Sequence, residues 1–142
     1  GAMVRAFARW FGILYLAVGV LGFIPGVNMM RMPDEGVTVG TSYGYLLGLF
    51  PVNAIHNVVH LLIGIWGVAS AGSFERARAF ARGLAIVYGV LTIAGFIPSL
   101  NTLFGLTPLF GADIALHAIS AIVAAYFGWG VRDDAERTRS TI

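Results

Sequence analysis

The amino-acid sequence predicts an all-α membrane protein: a four-helix transmembrane bundle built from two tandem helix-pair repeats with parallel topology. Three observations lead to this fold, namely a low charge content, four apolar segments and a duplicated segment. Charged residues make up 11% of the 142 residues, whereas soluble domains carry about 25%. The mean hydropathy of +0.82 and the grouping of apolar residues into long blocks indicate a chain that contacts the lipid bilayer.

The four apolar segments each have close to the roughly 20 residues that cross a hydrocarbon core. They cover residues 7–24, 52–71, 79–97 and 112–131. Backbone polar groups in lipid must be hydrogen-bonded within the segment, so each segment is predicted to be a helix. We expect Pro25 and Pro98 to end the first and third helices, and Pro51 to lie in the first turn of the second.

The duplication is visible by direct alignment. Two stretches align without a gap and are identical at 12 of 24 positions: residues 5–28, "RAFARWFGILYLAVGVLGFIPGVN", and residues 78–101, "RAFARGLAIVYGVLTIAGFIPSLN". The chain is therefore predicted to contain two helix-pair units, residues 5–71 and 78–131, within one membrane domain of residues 4–131. Because each unit has an even number of spans, their symmetry axis should run along the membrane normal.

The arginine residues predict how the helices are oriented. All nine basic residues are arginine, and eight share one predicted side of the membrane, at positions 5, 9, 76, 78, 82, 132, 137 and 139. Only Arg31 lies on the other side, so the positive-inside rule places both termini in the cytoplasm. We therefore expect a multi-pass protein of the bacterial inner membrane. The outer connection 25–50 is expected to be an irregular loop, with a short interfacial helix at 42–49.

The ends of the chain and its composition restrict the possible partners. Residues 1–3, "GAM", look like the remnant of an expression tag, and residues 132–142 are predicted to form a flexible cytoplasmic tail. No basic stripe with interleaved aromatics suggests nucleic acid as a partner. The chain has no cysteine, which excludes disulfides and thiolate metal sites. The outer loop 25–50 is the candidate surface for a homo-oligomer contact or a membrane-protein partner.

The candidate functional residues lie inside two of the apolar segments. The stretch "HNVVH" holds His56 and His60, and "DIALH", at the matched place in the second repeat, holds Asp113 and His117. Ionisable groups inside a membrane usually face the bundle interior, and an i, i+4 pair lets two side chains of one helix reach one ion. These four residues are predicted to bind one divalent transition metal, with zinc favoured and copper or iron as alternatives.

Two other interpretations of the same residues stay open. A histidine–aspartate–tyrosine network without metal is one. A haem held between His60 and His117 is the other, and it ranks lower because it leaves His56 and Asp113 without a role. Four protein ligands make a closed metal site, whereas three ligands and a water leave a position open for chemistry. The four candidates favour a structural or metal-binding protein over an enzyme, and a small carrier or accessory subunit is a third class.

Three further polar residues are predicted to support the metal ligands. Tyr15 and Tyr88 are equivalent in the repeat, and each lies ten residues before its proline, roughly 15 Å below the outer end. This is the depth of His60 and His117, so the tyrosines are predicted to hydrogen-bond the histidines or Asp113. The alternative is that each hydroxyl bonds a local carbonyl. Asn57 is assigned to the same surroundings, with a bond to a neighbouring helix as the alternative.

The site residues also carry a resemblance to a known family. The segment "HNVVHLLIG", followed in the second half by "ADIALH", resembles a family of bacterial membrane proteins known as domain of unknown function 4383. The resemblance covers nearly the whole chain, and it matches His56, Asn57, His60, Asp113 and His117 position by position. Where the family often has an asparagine after the aspartate, this chain has Ile114. The resemblance implies four membrane helices and supplies no activity.

Overall fold

The computed structural model describes residues 1–132, so the predicted tail lies outside the described residues except for Arg132. The fold is mostly helical, with four α-helices and one small sheet in the described part. The helices are α1 (Ala2–Leu21), α2 (Ala54–Ser70), α3 (Phe74–Gly95) and α4 (Ala112–Ala125), and α4 continues into a π-helical turn, Tyr126–Gly130. Three helices are long and apolar enough to cross a membrane, namely α1, α3 and α4 with its extension. Helix α2 is apolar but has 17 residues.

The helix ends follow the prolines less closely than predicted. Helices α1 and α3 end at Leu21 and Gly95, several residues before Pro25 and Pro98. In both cases tight i→i+3 backbone bonds replace the last α-helical turn, from Phe23 N–H to Val20 O and from Phe96 N–H to Ile93 O. Because a proline disfavours helical geometry in the residue before it, each α-helix ends several residues before its proline rather than at it.

The connection between α1 and α2 forms a small sheet. Strands β1 (Asn28–Met30), β2 (Gly44–Leu46) and β3 (Phe50–Val52) pair antiparallel in that order. The expected interfacial helix at 42–49 is therefore wrong. The predicted all-α fold is confirmed only in its coarser form, as a mostly helical fold with one small sheet. The expected place of Pro51 is wrong as well, since it lies in β3 opposite Tyr45. A proline is tolerated there because β3 is an edge strand, where the missing N–H breaks no second ladder.

One acidic residue organises the sheet. The hydroxyls of Tyr43 and Tyr45 both donate to the Asp34 carboxylate at 2.6 Å. These two hydrogen bonds, followed by the nearby charge of Arg31, lower the pKa of the Asp34 carboxyl. The Asn28 side chain ties the sheet to α1, because its Nδ2 donates to Gly22 O at 2.7 Å and to Ser42 O at 2.9 Å. The outer connection is thus an ordered cap, which we define as residues 25–53.

The four helices pack as two pairs. Helix α1 packs mainly on α2, α3 packs mainly on α4, and α1 and α3 contact each other. Two arginines reach the ends of the partner helices: Arg5 Nε donates to Ala71 O at 3.0 Å, and Arg82 Nε donates to Gly128 O at 2.7 Å. A cation near a helix C-terminus offsets the negative end of the helix dipole. Both arginines therefore mark the end of the bundle that lies opposite to the cap.

Candidate metal centre

The three histidines come from the cap ends of α2 and α4. Helix α2 begins at Ala54 because the Asn53 side chain accepts the His56 N–H at 3.0 Å, which satisfies a backbone donor of the first turn. His56 therefore lies in the first turn and His60 one turn deeper. His117 lies in the second turn of α4, which follows Gly111 at a φ of 67°. All three are buried, with 5%, 2% and 1% of their surface exposed.

The imidazoles of these three histidines meet in the interior. One ring nitrogen from each lies within 4.8 Å of those of the other two. The ring centroids of His56 and His60 are 4.4 Å apart, and those of His56 and His117 are 5.9 Å apart. The expectation that polar residues of the second and fourth segments converge is met for the histidines. This arrangement suits a single metal ion, because neutral imidazole is a common ligand of first-row transition metals.

The tautomer of His56 follows from its hydrogen bond. Its Nδ1 lies 3.0 Å from Pro108 O, and the Thr107 hydroxyl oxygen lies 3.2 Å from the same nitrogen. A carbonyl oxygen only accepts, so Nδ1 carries the proton and Nε2 holds the free lone pair. Among residues 1–132 this Nε2 has no hydrogen-bond partner. Metal-ligating histidines typically donate their other ring N–H to a carbonyl or carboxylate in this way.

The other ring nitrogens are also left with free hydrogen-bonding capacity. Within the described chain, the buried Nδ1 atoms of His60 and His117 have no hydrogen-bond partner. A buried polar atom without a partner costs about 1–3 kcal/mol. Three such atoms, one on each histidine of a converging cluster, mark a place where an additional group would relieve that cost.

Asp113 is not a member of the converging group. It is fully buried in the first turn of α4, one turn before His117. Neither carboxylate oxygen has a hydrogen-bond partner within residues 1–132, and the histidine nitrogens form their cluster without it. The structure therefore brings three of the four predicted ligands together, and the fourth lies one helical turn from His117 on α4.

The two tyrosines stack between the helix pairs. Their ring centroids are 5.4 Å apart, and each ring contacts one histidine, Tyr15 with His60 at 5.1 Å and Tyr88 with His117 at 4.9 Å. The hydroxyl of Tyr15 shares a hydrogen bond of 2.6 Å with Ser120 Oγ instead of bonding a histidine, Asp113 or a local carbonyl. The hydroxyl of Tyr88 lies near that of Tyr15 but outside hydrogen-bond geometry, and it has no other partner in the described part of the chain.

Comparison with known proteins identifies the family. The family model described as "Domain of unknown function (DUF4383)" matches residues 5–130. The chain belongs to this family. A comparison with curated proteins and one with solved structures gave no match. In this member of the DUF4383 family, the matched region contains every residue of the site, from Tyr15 to Ser120.

Three residues of this DUF4383 site escaped the sequence reasoning. Thr107 and Pro108 belong to the connection between α3 and α4, and Ser120 lies on α4. An isolated carbonyl or hydroxyl in a loop gives no periodic signal, so only the fold reveals that Pro108 faces His56. Asn57 was expected among the supporting residues, but its buried amide packs against Gly22 and has no hydrogen-bond partner among residues 1–132.

Proposed function

We propose that this protein is an integral membrane protein that binds one divalent transition metal within its outer half. The ligands are His56, His60 and His117, and zinc is the favoured metal, with copper or iron as alternatives. The observation that carries the proposal is the meeting of three buried imidazoles, each of which has one ring nitrogen within 4.8 Å of those of the other two. Since Zn–N bonds are about 2.0 Å long, donor nitrogens in a tetrahedral site lie about 3.3 Å apart. Small side-chain rotations would close the group to that spacing.

Asp113 is assigned a supporting role in this proposal. Three neutral imidazoles leave the charge of a divalent ion uncompensated in a medium where isolated charges are costly. A fully buried carboxylate one turn away on α4 supplies half of the opposite charge. Asp113 was predicted as a fourth ligand, and here it acts as the nearby counter-charge, which leaves the fourth coordination position to another group.

Two observations favour a metal over the alternatives. A metal-free polar network would pair its members, yet the three histidines, Tyr88 and Asp113 all keep buried polar atoms without partners in residues 1–132. A haem needs a much larger space. The cavity beside the histidines has a volume of about 60 Å³, whereas sites for drug-sized ligands have about 300–1,000 Å³.

The proposal includes the arrangement in the membrane. All four helices cross the bilayer, and α2 does so with 17 residues, about 26 Å at 1.5 Å per residue. The cap then lies on the outer face, and both termini lie in the cytoplasm, as the arginine distribution predicts. In this arrangement the metal joins α2 and α4, which belong to different helix pairs, and so it ties the two halves of the bundle together.

Metal analysis of the purified protein tests the proposal. The full chain is purified in detergent without chelator or affinity metal, and its metal content is measured by mass spectrometry. We expect about one metal ion per chain, and we expect His60→Gln to lose most of it. Glu35→Gln is the matched control, because Glu35 is an exposed acid of the cap, and it should keep the full content. Asp113→Asn should retain the metal with weaker affinity, since it removes charge rather than a ligand.

Two results would contradict the proposed metal centre. Less than about a tenth of a metal per chain, in protein that also fails to take up zinc, copper or iron on titration, would rule out the metal centre. Equal loss of metal in Glu35→Gln and His60→Gln would assign the metal to surface binding instead. Removing the metal with a chelator should also lower the melting temperature, because binding to the folded state alone stabilises it.

A further inference from the structure

A cavity of about 60 Å³ lies directly beside the three histidines. One wall consists of the imidazoles of His56, His60 and His117, and the Tyr88 ring and Thr107 line it as well. The remaining wall is apolar, from Val59, Leu91, Leu103 and Leu109. Because a water molecule takes up about 30 Å³ in the liquid, the cavity has room for a ligand of about two heavy atoms.

The entrance to this cavity faces the lipid side of the bundle. Val59 lies on the outside of α2 and is 41% exposed, and Leu91 of α3 is partly exposed. Between membrane helices such a surface meets hydrocarbon rather than water. Leu103, from the connection between α3 and α4, lines the cavity with its backbone in the left-handed region at a φ of 45°. A ligand that enters between these apolar side chains has to be small and uncharged.

The two stacked tyrosines differ in a way that leaves one hydroxyl available. Ser120, which bonds Tyr15, aligns with Ile63 when His117 is aligned with His60. An isoleucine offers no hydroxyl, so Tyr88 lacks the partner that Tyr15 has, and its hydroxyl is unpaired within the described chain. Tyr88 is also the one of the two that lines the cavity. Its ring forms part of the cavity wall, and its unpaired hydroxyl is the donor that we assign to a ligand bound there.

We propose that the fourth coordination position of the metal faces this cavity and takes a small neutral diatomic molecule from the bilayer, of the class of nitric oxide and dioxygen. The bound molecule donates a lone pair to the metal, no covalent bond breaks, and the Tyr88 hydroxyl donates a hydrogen bond to it. This inference rests on the proposed function, because it requires the metal. Of the metals proposed there it applies to iron, because ferrous iron binds neutral diatomic molecules and zinc does not.

The probe for this proposal is nitric oxide. The full chain in lipid nanodiscs is loaded with ferrous iron without oxygen and titrated with nitric oxide, and binding is followed by electron paramagnetic resonance and infrared spectroscopy. We expect one nitric oxide per iron. Tyr88→Phe should keep the iron, weaken nitric oxide binding by about 3- to 10-fold and shift the N–O stretch. Tyr126→Phe, the same change at an exposed ring far from the cavity, should do neither.

The outcomes separate this inference from the metal proposal. If the protein holds no iron, zinc or copper, the proposed function fails and the diatomic site fails with it. If it holds one iron per chain and binds no nitric oxide, the metal centre stands and the open position is overturned. Azide that binds as tightly as nitric oxide would overturn the neutral-ligand selectivity. An unchanged N–O stretch in Tyr88→Phe would overturn the role of the hydroxyl.

Val59→Trp should slow nitric oxide binding, and an unchanged rate would overturn the lipid-side entrance.

Discussion

At the scale of single residues, Asn53 connects the cap, the connection between α3 and α4, and the histidine cluster. Its Oδ1 accepts the His56 N–H, while its Nδ2 donates to Val39 O at 3.1 Å and to Leu106 O at 2.8 Å. Leu106 directly precedes Thr107 and Pro108, which hold the His56 ring. One buried side chain therefore fixes both the backbone of His56 and the loop that supplies its hydrogen-bond partner.

The first prediction follows from this double role. Asn53→Ala should lower the free energy of unfolding by about 1–3 kcal/mol, because it removes the helix cap and leaves two carbonyls without a donor. Asn53→Asp keeps an acceptor for His56 N–H but loses both donations, so its loss should be smaller. Thermal unfolding in detergent measures both. If Asn53→Asp were as stable as the parent protein, the bonds to Val39 and Leu106 would contribute nothing.

At the scale of elements, the crossing of α1 and α2 depends on glycine. A Cβ placed on Gly64 would lie 2.6 Å from Leu16 N, and one on Gly12 would lie 2.6 Å from Val68 N. Both contacts involve backbone atoms, which cannot rotate away. Small residues allow such close approach of membrane helices. The close contact of α1 with α2 therefore requires glycine at both positions.

The same substitution at two glycines tests this crossing. Gly64→Ala should destabilise the bundle by about 1–3 kcal/mol, because the added methyl group overpacks the contact of two backbones. Gly89→Ala is the matched control, since nothing lies within 4 Å of a Cβ at this position of α3, and alanine favours the helix. Thermal denaturation in detergent, without a chemical denaturant, compares the stability of the two variants. Equal stability of both variants would show that the crossing tolerates an extra methyl group.

The elements also show how far the sequence could predict the fold and the site. Long apolar runs predicted the helices, because burial in lipid leaves a strong compositional signal. The strands of the cap have three residues each, too few for a recognisable alternation of apolar and polar side chains. The histidine cluster was predictable because it repeats an i, i+4 spacing on two segments. Asp113 has the right spacing too, and only the fold shows that its carboxylate lies outside the cluster.

At the scale of the whole molecule, positions that align in the sequence make corresponding contacts. A Cβ on Gly22 would meet the Asn57 side chain, and a Cβ on the equivalent Gly95 would meet the Ile114 side chain. Both repeats have glycine at this position, but the residue that the glycine contacts differs between them. Two differences bear on the histidine cluster: Asp113 of the second repeat aligns with His56, and Ile63 of the first repeat aligns with Ser120. Because the halves differ at these positions, the histidines form a single cluster, with two from α2 and one from α4, instead of two equivalent sites.

The orientation of this asymmetric bundle is the last prediction, and the absence of cysteine from the chain makes it straightforward to test. Glu35→Cys places one thiol on the cap, and Glu75→Cys places one thiol in the first turn of α3, at the arginine-rich end; both side chains are exposed. In intact cells a membrane-impermeant maleimide should label Glu35→Cys alone, because the positive-inside rule puts the arginine-rich end in the cytoplasm. Permeabilised cells should label both variants, which controls for expression and reactivity. Labelling of Glu75→Cys alone in intact cells would invert the bundle, place the metal centre toward the cytoplasm and make the cap a cytoplasmic surface.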